Sequence, residues 1–372
     1  MNRREWSVAA LLGAAFSFYV VFDQYGLLGW AQSALGVDVW GMAPLLGCLV
    51  VCGALSAVAA SRAIVALRPG FAAQIKLIAT AQLAEGIVGL LCLAADSRAE
   101  LLWPLAALGV VQGVHIVLIL GLLNSATRPA RLGWSAGVAA GIAYLLANLL
   151  TAVFPDDPRG LCLAACVLSL VVGLLAALAV EQSLPQVELR ELNREPGGRS
   201  LIAVLLLVVV LDSALWQVLT SLGGGVALGP QSPRELWLLN GLLHLAAAIV
   251  GGLLWPLLGS RRLAALGGLL IGLSAALVAW SPDNAPLWGV LLLQSASVGI
   301  YSVALYAAWS ELGLRAVGPG IALVGFVGSP LGVGLGMLLG RFPRLGLWLL
   351  ALCAICVGLG FLIRPTSRST DR

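Results

Sequence analysis

Three carboxylates, Asp23, Glu85 and Asp212, stand inside apolar stretches of a chain that otherwise keeps its charges in short connections. A charged side chain near the centre of a membrane helix costs about 2.5–3.5 kcal/mol on insertion scales, so acids kept there pair, face water or carry protons. Asp23 and Asp212 also recur in matching contexts, Val20-Val21-Phe22-Asp23-Gln24 against Val209-Val210-Leu211-Asp212-Ser213. A carboxylate attracts a cation when ionised and releases it when protonated, so two such groups suit the exchange of protons for a cationic or neutral solute. Spacing of three and four residues puts Phe16, Tyr19 and Leu27 on the face of Asp23, while Asp212 has Trp216 one turn later and then Thr220. Aromatic ring faces attract cations and add a receptor surface to the charge.

The elements that must hold these residues are membrane helices. The chain is 60% hydrophobic and 10% charged, with a mean hydropathy of +1.01, whereas ordinary soluble domains carry about 25% charged residues. Twelve apolar runs are expected to span, at 6–32, 40–61, 71–95, 101–124, 133–154, 160–180, 201–221, 235–258, 263–281, 287–310, 317–340 and 345–363. Each is close to the roughly 20 residues that cross about 30 Å of hydrocarbon. The first run reads as a retained helix, because no signal-peptide cleavage site follows Arg3 and Arg4. The fold class is therefore an all-α polytopic membrane protein with twelve transmembrane helices in two pseudo-symmetric six-helix bundles. Mixed charges followed by Pro196, Gly197 and Gly198 mark a solvated connection, so the expected organisation is a bundle at 1–181, a cytoplasmic linker at 182–199 and a bundle at 200–372.

Basic residues set the orientation. With both termini inside, only Arg98, Arg159, Arg234, Arg341 and Arg344 of the 21 lysines and arginines fall outside, where Asp38, Asp96, Glu100, Asp156, Asp157 and Asp283 also gather. Lys and Arg accumulate on the cytoplasmic side, so both ends are expected there. The net charge of +4 then reads as topology signalling and supports no nucleic-acid partner. One lysine among those 21 basic residues, with heavy use of Ala, Leu and Gly, suggests a GC-rich genome and a bacterial inner membrane.

The remaining polar residues carry two readings each. Gln112 and His115 in the fourth span share a face three residues apart, and Gln294, Ser297 and Tyr301 do so in the tenth. His115 reads as a core histidine donating to a carbonyl, with pH sensing as the alternative. Asp23 lies toward the outer end of its span and suits either a cavity or interfacial water. Glu85, with Gln82, suits a hydrogen-bonded tie between helices or a proton path. Lys76 falls on the opposite face of that helix and is expected to snorkel to the surface. Asn240 and His244, four apart, suit polar glue between helices. Trp103, Trp255, Trp280, Trp288 and Trp348 suit interfacial anchors. Cys48 and Cys52, Cys162 and Cys166, Cys353 and Cys356, and Cys92 read as small packing residues, with no metal-site spacing.

Local repeats add a family resemblance. Gly252 to Arg262 follows the loop pattern G-x-x-x-D-R-x-G-R-R, keeping Gly259, Arg261 and Arg262 but with Pro256 where the pattern has its acid, and Ser61, Arg62 and Arg68 mark a fainter first copy. Gly109-Val110-Val111-Gln112-Gly113 follows the fourth-helix R-x-x-Q-G but lacks its arginine, and Leu292-Leu293-Gln294-Ser295 is its counterpart in the second half. Glycines 133, 137 and 141, and 325, 328, 332 and 336 with Pro330, echo the family's glycine-rich helices. On these motifs and on its architecture the chain resembles the major facilitator superfamily of secondary transporters. The resemblance implies that helices one, four, seven and ten line a central cavity open alternately to each side. It further implies a peripheral third helix, which leaves Glu85 outside that cavity.

These observations lead to one expectation: a secondary transporter moving a small organic, cationic or amphipathic solute by alternating access, coupled to protons. Asp23, Tyr19, Gln112, His115, Asp212, Trp216, Gln294 and Tyr301 are the expected solute-binding residues, and Asp212, Asp23 and Glu85 the expected proton-coupling ones. Partners are then the solute, protons and the lipid bilayer, with no cofactor, no metal and a monomeric state expected. The lack of an embedded arginine or lysine in the cavity positions favours efflux over uptake of an anion. No G-x-x-x-x-G-K-[ST], H-E-x-x-H or G-x-S-x-G occurs, so no enzyme is expected. The alternative is a transporter-like sensor or membrane partner without vectorial transport. A third, lipid movement, has less in the sequence to support it.

Overall fold

The computed structural model describes residues 3–181, 198–222, 234–280 and 287–363, so most of the expected linker, with Arg190 and Arg194, and Asp283 of the outer loops lie outside the described residues. It is helical throughout those segments: α1 Arg3–Phe18, a π-helical turn Tyr19–Gly26, α2 Leu27–Leu35, α3 Val39–Leu67, α4 Phe71–Leu93, α5 Arg98–Ala126, α6 Pro129–Val153 and α7 Pro158–Glu181. After the linker come α8 Gly198–Ser221, α9 Arg234–Trp280, α10 Leu287–Ala307, α11 Trp309–Leu312, α12 Leu314–Ile321, a second π-helical turn Ala322–Gly328, α13 Ser329–Leu339 and α14 Pro343–Ile363.

Eleven helical stretches are long and apolar enough to cross a membrane. One of them, α9, is 47 residues long, about 70 Å at the α-helical rise and more than twice a bilayer's hydrocarbon. Gly259 breaks it with φ 69 and ψ 170, three residues after Pro256. Only glycine adopts that backbone without strain, which is why the loop pattern keeps a glycine there. The stretch is therefore two spans, and the chain makes twelve.

Helix ends follow local chemistry. Asp38 accepts from the Gly41 amide and Ser97 from the Glu100 amide, capping α3 and α5, and Pro129 begins α6 where its missing N–H costs nothing. Long helix faces stay apolar and outward: Leu55, Leu91, Trp103, Leu257, Trp280 and Leu352 are all exposed, as a lipid-facing shell requires. Lys76 is exposed on that shell, as expected. Trp255 is half-buried at the end of its span, where its indole donates to Ser260 Oγ at 2.9 Å. The side chain of Trp288 lies outside the described residues.

Two helix groups meet along two seams. The first joins α6 to the first half of α9, where Gly133 faces Gly252, Gly137 faces Ala248 and Gly141 faces Leu245. A Cβ on Gly137 would stand 2.5 Å from the Ala248 carbonyl oxygen, so only hydrogen fits and the backbones touch. The second seam joins α3 to α12 and the π turn after it, with Gly318 against Ala57. Beyond that turn α13 leaves α3 and packs on α8.

The seams are locked at one end. On the side that holds both chain ends, Ser61 Oγ donates to the Leu314 carbonyl at 3.0 Å. There too Asn124 donates to the Tyr306 carbonyl at 2.7 Å and accepts from the Ser310 amide at 3.0 Å. The opposite side keeps the α6–α9 seam, where Asn240 Nδ2 donates to Asn148 Oδ1 at 2.7 Å, while α3 and α13 diverge. The two groups are therefore held by both seams toward the chain ends and by the α6–α9 seam alone on the other face.

Candidate functional site

The helix that carries Asp23 changes register where the acid sits. From Tyr19 to Gly26 the hydrogen bonds run one residue longer than in an α-helix, with Asp23 in the middle. Single π turns inside long helices recur at functional sites because they re-aim side chains and free carbonyls. Both carboxylate oxygens of Asp23 are buried and have no hydrogen-bond partner among the described residues. That decides between its two readings: the acid faces protein interior, not interfacial water. Gln112 lies against it, and the charge of Glu85 reaches it, but neither completes a hydrogen bond of good geometry.

Asp212 sits differently. Its Oδ2 accepts from the Tyr301 hydroxyl at 2.7 Å, joining α8 to α10, and its Oδ1 is buried and unpartnered. Tyr25, Tyr144 and Tyr301 all lie within electrostatic reach of this carboxylate. Tyr19 lies within reach of Asp23 and of Tyr144, and Tyr306 within reach of Tyr144. The chain has five tyrosines, and all five gather here, between the two acids. Ring contacts tie them across the two halves: Phe16 to Tyr19 at 5.5 Å and to Tyr306 at 5.2 Å, Tyr25 to Trp237 at 5.8 Å, and Tyr144 stacked on His244 at 5.0 Å.

Of the residues expected from sequence, the structure brings Asp212 to Tyr301, Asp23 to Gln112 and Tyr19, and His115 to Glu85. His115 departs from the core-carbonyl reading, since its Nδ1 is 2.8 Å from Glu85 Oε1. Glu85 is 2% exposed on a helix whose other faces meet lipid, because α5 offers the imidazole at the right height. Both residues reach neighbouring helices: Glu85 meets His115 of α5, and Gln82 donates to Ser169 Oγ of α7 at 2.6 Å while its backbone carbonyl accepts from that hydroxyl at 2.8 Å. Trp216, one turn after Asp212, packs with Tyr25 and Leu236 against Trp237 and Leu291. Gln294 is buried at 7% exposure, and Ser297 is turned to the Gly267 carbonyl. Asn240 and His244 are glue as expected: Ser295 donates to Asn240, Asn240 to Asn148, and His244 Nδ1 meets the Asn240 carbonyl at 2.8 Å.

Tyr25, Tyr144, Tyr306 and Trp237 went unread in the sequence. The missing signal was placement: membrane proteins keep tyrosines at span ends, and here every one is inside a span. Cys92, Cys162 and Cys166, read as separate packing residues, converge within reach of one another beside Asp23. Among the described residues, no group of three or more His, Cys, Asp or Glu is placed to hold a metal ion.

The arrangement has structural relatives. No family sequence profile matches the chain, and no curated protein matches it by sequence. Solved structures do. FucP, described as a major facilitator superfamily transporter in the outward conformation, matches over 97% of this chain and 99% of its own, with a TM-score of 0.69 at 12% identity. The chain has the major facilitator superfamily fold. The human organic anion transporter MFSD10 shares that fold over 96% of this chain and 99% of its own, with a TM-score of 0.72 at 13% identity. A further structure of the fucose:proton symporter FucP of E. coli covers 98% of this chain and 100% of its own, with a TM-score of 0.69 at 12% identity. In this major facilitator fold the seams named above are α6 with α9 and α3 with α12. The polar cluster includes Tyr144 of α6 and His244 of α9 as well as residues of the four spans that the resemblance singled out.

Proposed function

We propose that the protein is a secondary transporter that exchanges protons for a small organic cation at the tyrosine-lined chamber around Asp212. One observation carries the reading: two buried acids lie among five tyrosines, and no lysine or arginine of the described residues pairs with either acid. Among the described residues, Lys76 is exposed, and the arginines lie in the outer turns of spans or in their connections. A buried carboxylate without a fixed cation must take up a proton or a mobile cation, since an unpaired charge in low dielectric is costly. MFSD10 is an organic anion transporter; the chamber here has the opposite charge and favours a cation.

The geometry supports a simple cycle. Tyr301 donates to one oxygen of Asp212 and leaves the other for a ligand. The unpartnered Tyr306 hydroxyl and Trp237 indole N–H add orientation, and tyrosine faces hold the cation. Protonation of Asp212 removes the charge and releases the solute. Gln294 adds to the polar lining, and Asp23 adjoins this site through Tyr19. With the chain ends in the cytoplasm, the face where α3 and α13 diverge is the outer one, and the proton gradient drives export. The test is flux into proteoliposomes under an imposed pH gradient, with ethidium and N-methyl-4-phenylpyridinium as cation probes and wild type compared with Asp212→Asn. Wild-type uptake that collapses in the variant supports the reading. Absence of proton-linked movement across a broad solute panel overturns it in favour of a sensor without transport.

A further inference from the structure

The first helix group holds a second polar locus, set apart from the Asp212 chamber. Glu85 on α4 and His115 on α5 are 2% and 1% exposed and meet at 2.8 Å, yet Glu85 Oε2 and His115 Nε2 have no partner among the described residues. One turn before His115, Gln112 is fully buried with both amide atoms unpartnered, and it lies against Asp23, whose two oxygens are unpartnered as well. Six orphaned polar atoms thus gather on four side chains from three spans. A buried polar atom left without a partner costs about 1–3 kcal/mol, so a cluster of six needs something to fill it.

A structural tie explains only part of it. Glu85 Oε1 and His115 Nδ1 join α4 to α5, and Gln82 binds α4 to α7 through Ser169, but neither tie uses the six unpartnered atoms. The groups that face the cluster are acids, thiols and a phenol: Cys92 on α4, Cys162 and Cys166 on α7 with Asp157 near its start, and Tyr19 beside Asp23. No arginine or lysine enters it from any packed helix. Water and a mobile proton are the occupants that match such a lining, because water both donates and accepts and a proton supplies the missing positive charge.

We propose that Asp23, Gln112, His115 and Glu85 form a hydrated proton-storage site, separate from the solute site at Asp212. The proposal rests on the proton-coupled carrier reading given above. A proton taken from the chamber by Asp23 leaves its carboxyl O–H and passes to a water held by the amide of Gln112. That water gives up one of its own protons to Glu85 Oε2, the unpartnered oxygen, while Oε1 keeps its 2.8 Å hydrogen bond with His115 Nδ1, so the pair holds the proton as a neutral carboxyl beside the imidazole. Asp23 is left ionised and ready for the next proton. Gln112 carries no proton itself; it is a positioning residue that anchors the water by one donor and one acceptor. Storing the proton away from Asp212 keeps one at hand to neutralise that acid as the solute leaves, as the exchange requires.

Infrared pH-difference spectroscopy on the purified full chain in lipid, with no solute, tests the site directly. The expected result is a protonated-carboxyl band that titrates, disappears in Glu85→Gln and shifts in His115→Gln. A spectrum in which no titrating band is lost in Glu85→Gln overturns the proposal. Should that variant fold poorly, Gln112→Met leaves the pair intact and must slow proton entry into it, and an unchanged rate of entry also overturns the proposal. In proteoliposomes, Glu85→Gln is expected to keep ethidium exchange near wild type while pH-driven accumulation falls about 10-fold, the size of a typical coupling between two sites. Equal loss of both overturns the separation of the sites. Failure of wild type to move ethidium counts against the carrier reading, and the infrared bands still decide the storage site.

Discussion

Asp23 and Asp212 occupy matching places in the two halves but live in different company. Asp212 has a hydroxyl donor from the neighbouring span at 2.7 Å and an aromatic floor. Asp23 has a π turn under it, an amide beside it and no completed hydrogen bond. A duplicated fold supplies the position twice; the residues on adjoining spans decide what each copy does. On the readings proposed above, the tyrosine from α10 suits Asp212 to an organic ligand, and the histidine and glutamate behind Gln112 suit Asp23 to proton entry.

Substitutions can break or sharpen that contrast. The largest effect is expected at Asp212→Asn, which removes the charge that binds the cation and should lower flux about 100-fold, the ~2–3 kcal/mol that a bond to a charged group is worth, read as initial rates in proteoliposomes. Tyr301→Phe keeps the ring and loses the donor, so flux should fall about 10-fold with the fold intact by thermal melting. Asn124→Ala removes two bonds at the closed end, about 1 kcal/mol each, and should raise labelling of a cysteine introduced at Ser310 by membrane-permeant reagents about 10-fold, marking a shift to the state open toward the termini. Gly137→Ala places a methyl against the Ala248 carbonyl and should cost about 1–3 kcal/mol of stability, seen as a lower melting temperature in detergent. Cys353→Ser, on the exposed face of α14, is expected to change flux by less than about twofold.

The fold was legible because the bilayer imposes it: apolar runs near twenty residues forecast every span, including the eighth and ninth, which the structure joins across the break at Gly259. The acids were legible because their cost in lipid singles them out. Their partners were harder, since contact across spans depends on height in the membrane and on helix rotation. Glu85 and His115 are thirty residues apart and meet only because α4 and α5 run antiparallel. The face assigned to Asp23 with Leu27 assumed an unbroken α-helix, and the π turn between them shifts that register. Tyr144 escaped because the fifth span read as a glycine packing helix, although one ring among those glycines reaches the chamber.

That irregular turn has a mechanical meaning. With one residue too many per loop of backbone, the first span is two rods joined by a swivel, and the joint lies under the acid. Such a joint can migrate along the helix by exchanging one hydrogen bond for the next, turning the side chains it passes by about 100° without breaking the rod. Asp23 can then face the chamber at one stage of the cycle and the Glu85–His115 pair at another, and a single-residue deletion at Gln24 would freeze it in one direction.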